Sequence, residues 1–260
     1  MPWGENGDMK KSFLAYEKSI ITCMVQAETP DRIKELISLS LAEGAEAFGM
    51  QFCRLAPEYR KKEVYRELFE YAKAPTYVTN YRCYGYNQGK SDDLLATELL
   101  ELAECGATLC DVMGDFFDAC VGELTMNEEA VKKQMALIDE LHSKGAEVLM
   151  SSHVFKFTPA ERVLEIALEH QRRGADISKI VTGASDMTQQ IENLRIIDLL
   201  KNNLDIPFLY LSGGECHISR RIGGMLGNSM SLCVYEHDEL STKTQPLLTD
   251  MIKLRNLFGE

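Results

Sequence analysis

The sequence predicts an α/β fold, a single (β/α)8 TIM barrel over residues 1–260 with residues 1–17 as an N-terminal extension. Three observations lead there. Short apolar or β-branched runs alternate with longer amphipathic stretches eight times over, which implies parallel strands joined by right-handed crossovers. Eight such units in about 250 residues fit a closed barrel. The competing architecture, a doubly wound open sheet, would place a glycine-rich phosphate loop after the first strand, and Gln26-Ala27-Glu28-Thr29 stands there instead.

Each element has a local reason. The first strand is read at 19–26 (SIITCMVQ). Thr29-Pro30 opens a helix to about residue 43, with threonine capping and proline in the first turn. Strand 47–53 and helix 58–74 follow, then strand 76–82 and, after a polar loop at 85–90, helix 91–105. Strand 108–113 precedes helix 128–144. Strand 147–153 (EVLMSSH) leads to Thr158-Pro159-Ala160-Glu161, which reads as a capping box. Strand 177–182 (ISKIVT), helix 186–203, strand 207–211, a short helix 217–226, strand 230–234 and a closing helix 244–258 complete the pattern.

Bulk properties narrow the function. The formal net charge is −12 and the isoelectric point about 5.0, so nucleic acid and anionic membranes are poor partners, while an anionic small molecule would need a locally basic pocket. No apolar run approaches the roughly 20 residues of a bilayer span. Residues 1–11 are polar and lack the apolar stretch of a signal peptide, which points to the cytoplasm. The eight cysteines form no C-x-x-C pair, so they read as mostly buried thiols rather than metal ligands or a redox motif.

Barrel active sites lie at the C-terminal ends of the strands. The polar residues expected there are Gln51, Arg82, Asp111, Asp115, Ser151, His153, Lys179, Ser212, Glu236 and His237. Lys179 is the most informative. It interrupts an apolar strand, and period-2 alternation puts Ile177, Lys179 and Val181 on one face. Facing inward, its amine would be desolvated and could act as a nucleophile toward a carbonyl. Facing outward, it would extend its charge to solvent between the helices. His153 ends the preceding strand, so in a barrel it neighbours Lys179 and is suited to move the α-proton of an imine. Cys216-His217 and Glu236-His237-Asp238 contain ligand-type residues in no recognisable metal pattern, so no metal is expected. The segment 81–86 (YRCYGY) could contribute to a lid or simply pack.

These residues resemble a family. Ser151-Ser152-His153-Val154-Phe155-Lys156-Phe157-Thr158-Pro159 resembles the S-x-H-D-F-x-x-T-P stretch of type I 3-dehydroquinate dehydratases. Gly174-Ala175-Asp176-Ile177-Ser178-Lys179-Ile180 is similar to their A-D-I-x-K-I strand, and Ile218-Ser219-Arg220 with Gly223 to their I-S-R-x-x-G stretch. Ser241 and Gln245 are similar to their S-A-P-G-Q loop. The resemblance implies a lyase of the shikimate pathway without external cofactor. Lys179 would form a Schiff base with a carboxylated ketone, and His153 would abstract the α-proton and assist imine hydrolysis. Arg220, Ser241 and Gln245 would hold the carboxylate, joined at the substrate by Arg82, Gln51 and Asp115. Members of that family are often dimers, which makes a homodimer an expectation.

The departures spare the lysine, the histidine and the carboxylate-binding set and alter, among others, the residues that read ring hydroxyls. A glutamate-x-arginine pair on the family's second strand corresponds to Gly49-Met50-Gln51, and Met113 stands for a glutamate that orients the histidine, with Asp115 as a candidate substitute. Val154 replaces an aspartate. Tyr210 and Ser212 fall where the family has two shielding methionines, and Arg82 matches only after a one-residue insertion. The same imine chemistry is therefore expected, on 3-dehydroquinate itself or on a different carboxylated ketone. Two alternatives stay open: a Schiff-base aldolase or other carbon–carbon lyase, and a non-catalytic barrel that binds a small carboxylate.

Overall fold

The computed structural model describes residues 12–259. Eight parallel strands, β1 (Ile20–Val25), β2 (Ala47–Gln51), β3 (Thr76–Thr79), β4 (Leu109–Met113), β5 (Glu147–His153), β6 (Ile177–Gly183), β7 (Phe208–Gly213) and β8 (Met230–Cys233), form one sheet in the order β7-β6-β5-β4-β3-β2-β1-β8. Helices α1 (Pro30–Glu43), α2 (Lys62–Ala72), α3 (Asp92–Glu104), α4 (Glu128–Ser143), α5 (Ala160–Arg172), α6 (Met187–Asn203), α7 (Ser219–Leu226) and α8 (Leu248–Phe258) alternate with them. This is the (β/α)8 TIM barrel. At the β7/β8 seam, the Ser229 amide donates to the Phe208 carbonyl at 2.8 Å, and the Asn228 side-chain amide brackets the backbone of Tyr210 with bonds of 2.8 and 2.9 Å.

Each strand buries both faces, as parallel barrel strands must. Inward side chains, including Ile20, Met24, Tyr77, Leu109, Leu149, Ile177, Val181, Leu209, Leu211, Met230 and Leu232, fill the barrel interior. Outward ones, such as Val112, Met150, Ile180 and Tyr210, meet the helices. Part of the expected extension is docked. Phe13 is buried with the interior cluster, its amide donates to Glu147 Oε2 at 2.8 Å, and the Ser12 hydroxyl also bonds Glu147. Residues 1–11 lie outside the described residues.

Several local readings change: β2 ends at Gln51, α2 begins at Lys62 and α8 at Leu248, and two further differences bear on the site loops. Helix α5 starts at Ala160 after Pro159 with no side-chain cap, and Thr158 donates its hydroxyl to the Lys156 carbonyl instead of closing a capping box. Strand β3 ends at Thr79, three residues before its expected end, because the chain turns there into the loop that carries Tyr81 and Arg82. The Thr29 cap stands, its hydroxyl accepting from the Arg32 amide at 3.3 Å. No helix among the described residues is long and apolar enough to cross a membrane.

Candidate active site

A cavity of about 680 Å³ opens at the C-terminal end of the barrel. Lys179, His153, Arg220, Gln245, Arg82, Gln51 and Asp115 all line it, so strand ends distant in sequence converge as the fold class requires. Its remaining walls are largely apolar and include Met24, Met113, Phe155, Val181, Leu211 and Leu232.

Lys179 faces inward, with 5% of its surface exposed. Its ammonium donates to the Tyr77 hydroxyl at 3.0 Å, to the Tyr81 hydroxyl and to Asp111 Oδ2 at 3.2 Å. The same Asp111 oxygen accepts from Tyr77 and, at 2.5 Å, from Tyr81, while its partner oxygen accepts from Ser151 at 2.5 Å. Burial pushes the Asp111 carboxyl up, but the Lys179 charge and the surrounding donors outweigh it and hold the group below the usual carboxylate range. Burial, reinforced by the Asp111 charge, drives both phenols well above their ordinary value, so they remain donors. Pairing of this kind offsets the desolvation cost of a buried charge.

His153 lies on the strand beside Lys179, with Ser151 opposite Lys179 and His153 opposite Val181. Its Nδ1 donates to Glu123 Oε2 at 2.6 Å, and its backbone amide reaches the same oxygen at 3.0 Å. A carboxylate on Nδ1–H fixes the tautomer that leaves Nε2 as the basic nitrogen. The ring is framed by Tyr81, edge-on at 5.2 Å between centroids, and Phe155, stacked at 5.6 Å. Glu123 and Phe155 both adopt left-handed backbone, φ 48° and 56°, an arrangement that costs energy in non-glycine residues and clusters at functional sites. The Ser152 hydroxyl donates to the Glu123 carbonyl at 2.6 Å and is held in turn by the buried His170.

Glu123 thus occupies the position for which Asp115 was the sequence candidate. Asp115 is engaged elsewhere: it accepts from Arg82 at 3.2 Å and from the Cys120 amide at 2.9 Å. Glu123 sits in the long β4–α4 loop, where no periodicity marks a side chain as inward, so only the folded loop reveals it.

Arg220 is 8% exposed and no carboxylate lies within ion-pairing distance among the described residues. Its Nε donates to the Ser212 carbonyl at 2.7 Å, and burial lowers its guanidinium to about 10, still a cation at neutral pH. Gln245 lines the same cavity, and its Oε1 is buried without a hydrogen-bond partner. A guanidinium with no ion-pair partner, at the wall of a cavity, is suited to an anion.

Other expected residues are placed differently. Ser241 does not line the cavity; its hydroxyl donates to the Asp238 carbonyl at 3.0 Å, and Thr242 takes the wall position. Arg82 is at the wall but clamped by Asp92, with two bonds of 2.8 Å, and by Asp115. Gln51 accepts from Gln26 at 2.8 Å. Tyr210 and Ser212 point away from the interior, with Tyr210 bonded to Thr182 at 2.7 Å and Asn193 at 3.0 Å, and Leu211 provides the shielding surface instead. At Gly49 a Cβ would lie 2.1 Å from Met24 Sδ and 3.3 Å from the Tyr77 ring, so these two side chains fill the space a longer residue would need. His237 Nε2 bonds the Gln245 carbonyl at 2.9 Å, and Glu236 pairs with Arg32. No group of three or more His, Cys, Asp or Glu side chains is arranged to hold a metal ion among the described residues.

Fold and site together define a (β/α)8 barrel built around an interior lysine with a carboxylate-oriented histidine beside it. The chain belongs to the type I 3-dehydroquinase family, whose model matches residues 61–260. That family works through a covalent lysine Schiff base and needs no external cofactor. Among curated relatives, 3-dehydroquinate dehydratase of Listeria welshimeri is 31% identical over 107 residues, 40% of this chain and 42% of the relative. The Geobacillus thermodenitrificans enzyme is 29% identical over 92 residues, 35% and 36% of the two chains. The matched stretch thus spans about two fifths of those relatives' length. Type I 3-dehydroquinate dehydratase from Clostridium difficile superposes with a TM-score of 0.79 at 17% identity, covering 94% of both chains. The 3-dehydroquinate dehydratase from Geobacillus kaustophilus gives 0.81 at 14% identity and 96% coverage of both. At these identities the likeness establishes the fold.

Proposed function

We propose that this chain is a cytoplasmic Schiff-base hydro-lyase acting on a carboxylated cyclic ketone. The observation that carries the reading is that Lys179, His153 and the unpaired Arg220 line one cavity. Arg220 and Gln245 bind the substrate carboxylate and so position its carbonyl at the Lys179 amine. The amine forms an imine, which acidifies the neighbouring C–H bonds. His153, its Nδ1 held by Glu123, removes the α-proton with Nε2, and the enamine expels a β-hydroxyl as water. Eight free cysteines suit a reducing compartment.

The substrate carries fewer hydroxyls than 3-dehydroquinate, or carries them elsewhere. Met24 and Tyr77 close over Gly49, and the charged Arg82, Asp115 and Glu123 at the wall are already paired with protein groups. Each charge-assisted contact missing from a site is worth roughly 1.5–3 kcal/mol, which is enough to redirect specificity.

The test is reduction with borohydride in the presence of candidate ketones, starting with 3-dehydroquinate, followed by mass analysis of the Lys179 peptide. An adduct in the native protein, none in Lys179→Ala, and growth of a conjugated absorbance support the reading. Two smaller carbonyl fragments would place the reaction among carbon–carbon lyases. Binding that stabilises the protein with no adduct and no product would leave a carboxylate-binding barrel.

A further inference from the structure

The resting Lys179 poses a chemical problem. All three of its ammonium protons are engaged, by Tyr77, Tyr81 and Asp111, and a protonated amine cannot attack a carbonyl. It must lose a proton locally, and a proton must later reach the oxygen that departs from the carbinolamine. Among the described residues His153 makes no hydrogen bond to Lys179; its ring and amide are held by Glu123. Of the three groups on Lys179, Tyr81 alone also lines the cavity, while Tyr77 and Asp111 lie behind the lysine, away from the wall.

We infer that Tyr81 is the acid–base catalyst of imine formation and that Asp111, behind it, stores the proton. This rests on the proposed function, in that it assumes Lys179 attacks a ketone. The Tyr81 hydroxyl accepts from the lysine and donates to Asp111, so it relays a proton without becoming charged. In the first step Lys179 passes a proton through Tyr81 to the Asp111 carboxylate, which leaves a neutral amine and a neutral acid. The nitrogen lone pair then forms the C–N bond, and the carbonyl π pair moves to oxygen. Tyr81 takes the extra proton from nitrogen and gives one to that oxygen, producing the neutral carbinolamine. Finally the stored proton returns from Asp111 through Tyr81 to the hydroxyl. The C–O bond breaks, water leaves, and nitrogen forms the iminium beside the restored carboxylate. The net change is ammonium plus ketone to iminium plus water.

The surroundings support this division of labour. Asp111 is the carboxylate on the lysine, Tyr77 and Ser151 hold it in place, and the His153 ring meets Tyr81 edge-on at 5.2 Å without a hydrogen bond between them. Tyr77 is a positioning residue here, because its hydroxyl orients both Lys179 and Asp111 but does not reach the cavity.

The experiment compares the full-length native chain with Tyr81→Phe, Asp111→Asn and His153→Gln. Each is checked for cooperative melting, and borohydride trapping with 3-dehydroquinate and with 4-oxopentanoate is timed across a pH series. Loss of the relay is expected to slow trapping by roughly 10²-fold in Tyr81→Phe and Asp111→Asn, the usual scale of positioned proton transfer. In those variants hydroxide must replace the relay, so the trapping rate should climb about tenfold per pH unit where the native rate is flatter. A merely structural role would lower the rate without changing that slope. His153→Gln should lose turnover far more than trapping. Native trapping rates and pH slopes in both Tyr81→Phe and Asp111→Asn would overturn the relay and leave the Schiff-base reading intact. So would trapping in His153→Gln that falls as far as turnover. Absence of any Lys179 adduct in the native protein with these ketones and with every candidate of the wider screen would overturn both.

Discussion

One oxygen of Glu123 accepts two hydrogen bonds from His153, from ring Nδ1 at 2.6 Å and from the backbone amide at 3.0 Å. The carboxylate therefore fixes both the position and the tautomer of the imidazole. Glu123→Gln keeps the size but loses the charge and permits the wrong tautomer. It should lower turnover by roughly 10²-fold or more with little change in substrate binding. Steady-state kinetics check this: a rise in KM with unchanged kcat would contradict the orienting role.

Arg220 is a buried cation with no carboxylate in ion-pairing distance among the described residues, so its desolvation is offset only in part, by the Ser212 carbonyl. Arg220→Met should raise the melting temperature of the free protein. It should also weaken binding of a carboxylated ligand by about 1.5–3 kcal/mol, roughly 10–100-fold. Melting curves with and without such a ligand decide the point. A ligand-induced shift equal in native and variant protein would show that the anion sits elsewhere.

The close approach of Met24 to Gly49 means that any side chain at position 49 must displace the end of Met24. Gly49→Ala should cost about 1–3 kcal/mol through overpacking. Because the nearest atoms belong to Met24, Met24→Ala should relieve much of that cost, giving a double mutant more stable than the sum of the singles. Additive losses by denaturant titration would mean that the clash is taken up by the backbone instead.

His170 is fully buried between Ser152 and Ser178, and burial lowers its imidazolium to about 3. The unfolded chain binds this proton from about pH 6.5. Stability is thus complete above that value and falls as pH drops toward about 3, by about 1.4 kcal/mol per unit. Glu169, lowered to about 2 chiefly by its bond to Arg172, adds acid sensitivity only below its ordinary range. His170→Gln should flatten the dependence between about pH 5 and 6.5 in urea titrations. An unchanged slope there would assign the sensitivity to other groups.

Much of the barrel was legible because its signals are local. Strand β5 lies at 147–153 as its apolar run indicates, and α1 begins behind Thr29 because the cap and Pro30 are adjacent in sequence. Lys179 and His153 were legible for a related reason: alternation along a strand states which residues share a face, and neighbouring strands in a barrel share a wall. Arg82 and Ser241 show the limit. Each stands close to where a motif puts it, yet Asp92 and Asp115 hold one and the Asp238 carbonyl accepts from the other. Asp115 comes from another loop, and Asp92 and Asp238 reach these side chains only through the path the local chain takes, so neither pairing shows at the position itself.

The sequence by itself determined the eight-fold alternation, the apolar strand that a lysine interrupts, and the histidine that ends the strand before it, since periodicity and proximity along the chain need no folding to be read. Only the tertiary structure decided that Glu123 orients His153, that Tyr77, Tyr81 and Asp111 surround Lys179, and that Met24 fills the space above Gly49. Those choices depend on loop paths and on which side chain claims a shared volume or hydrogen bond, and such competition is settled only when distant segments meet.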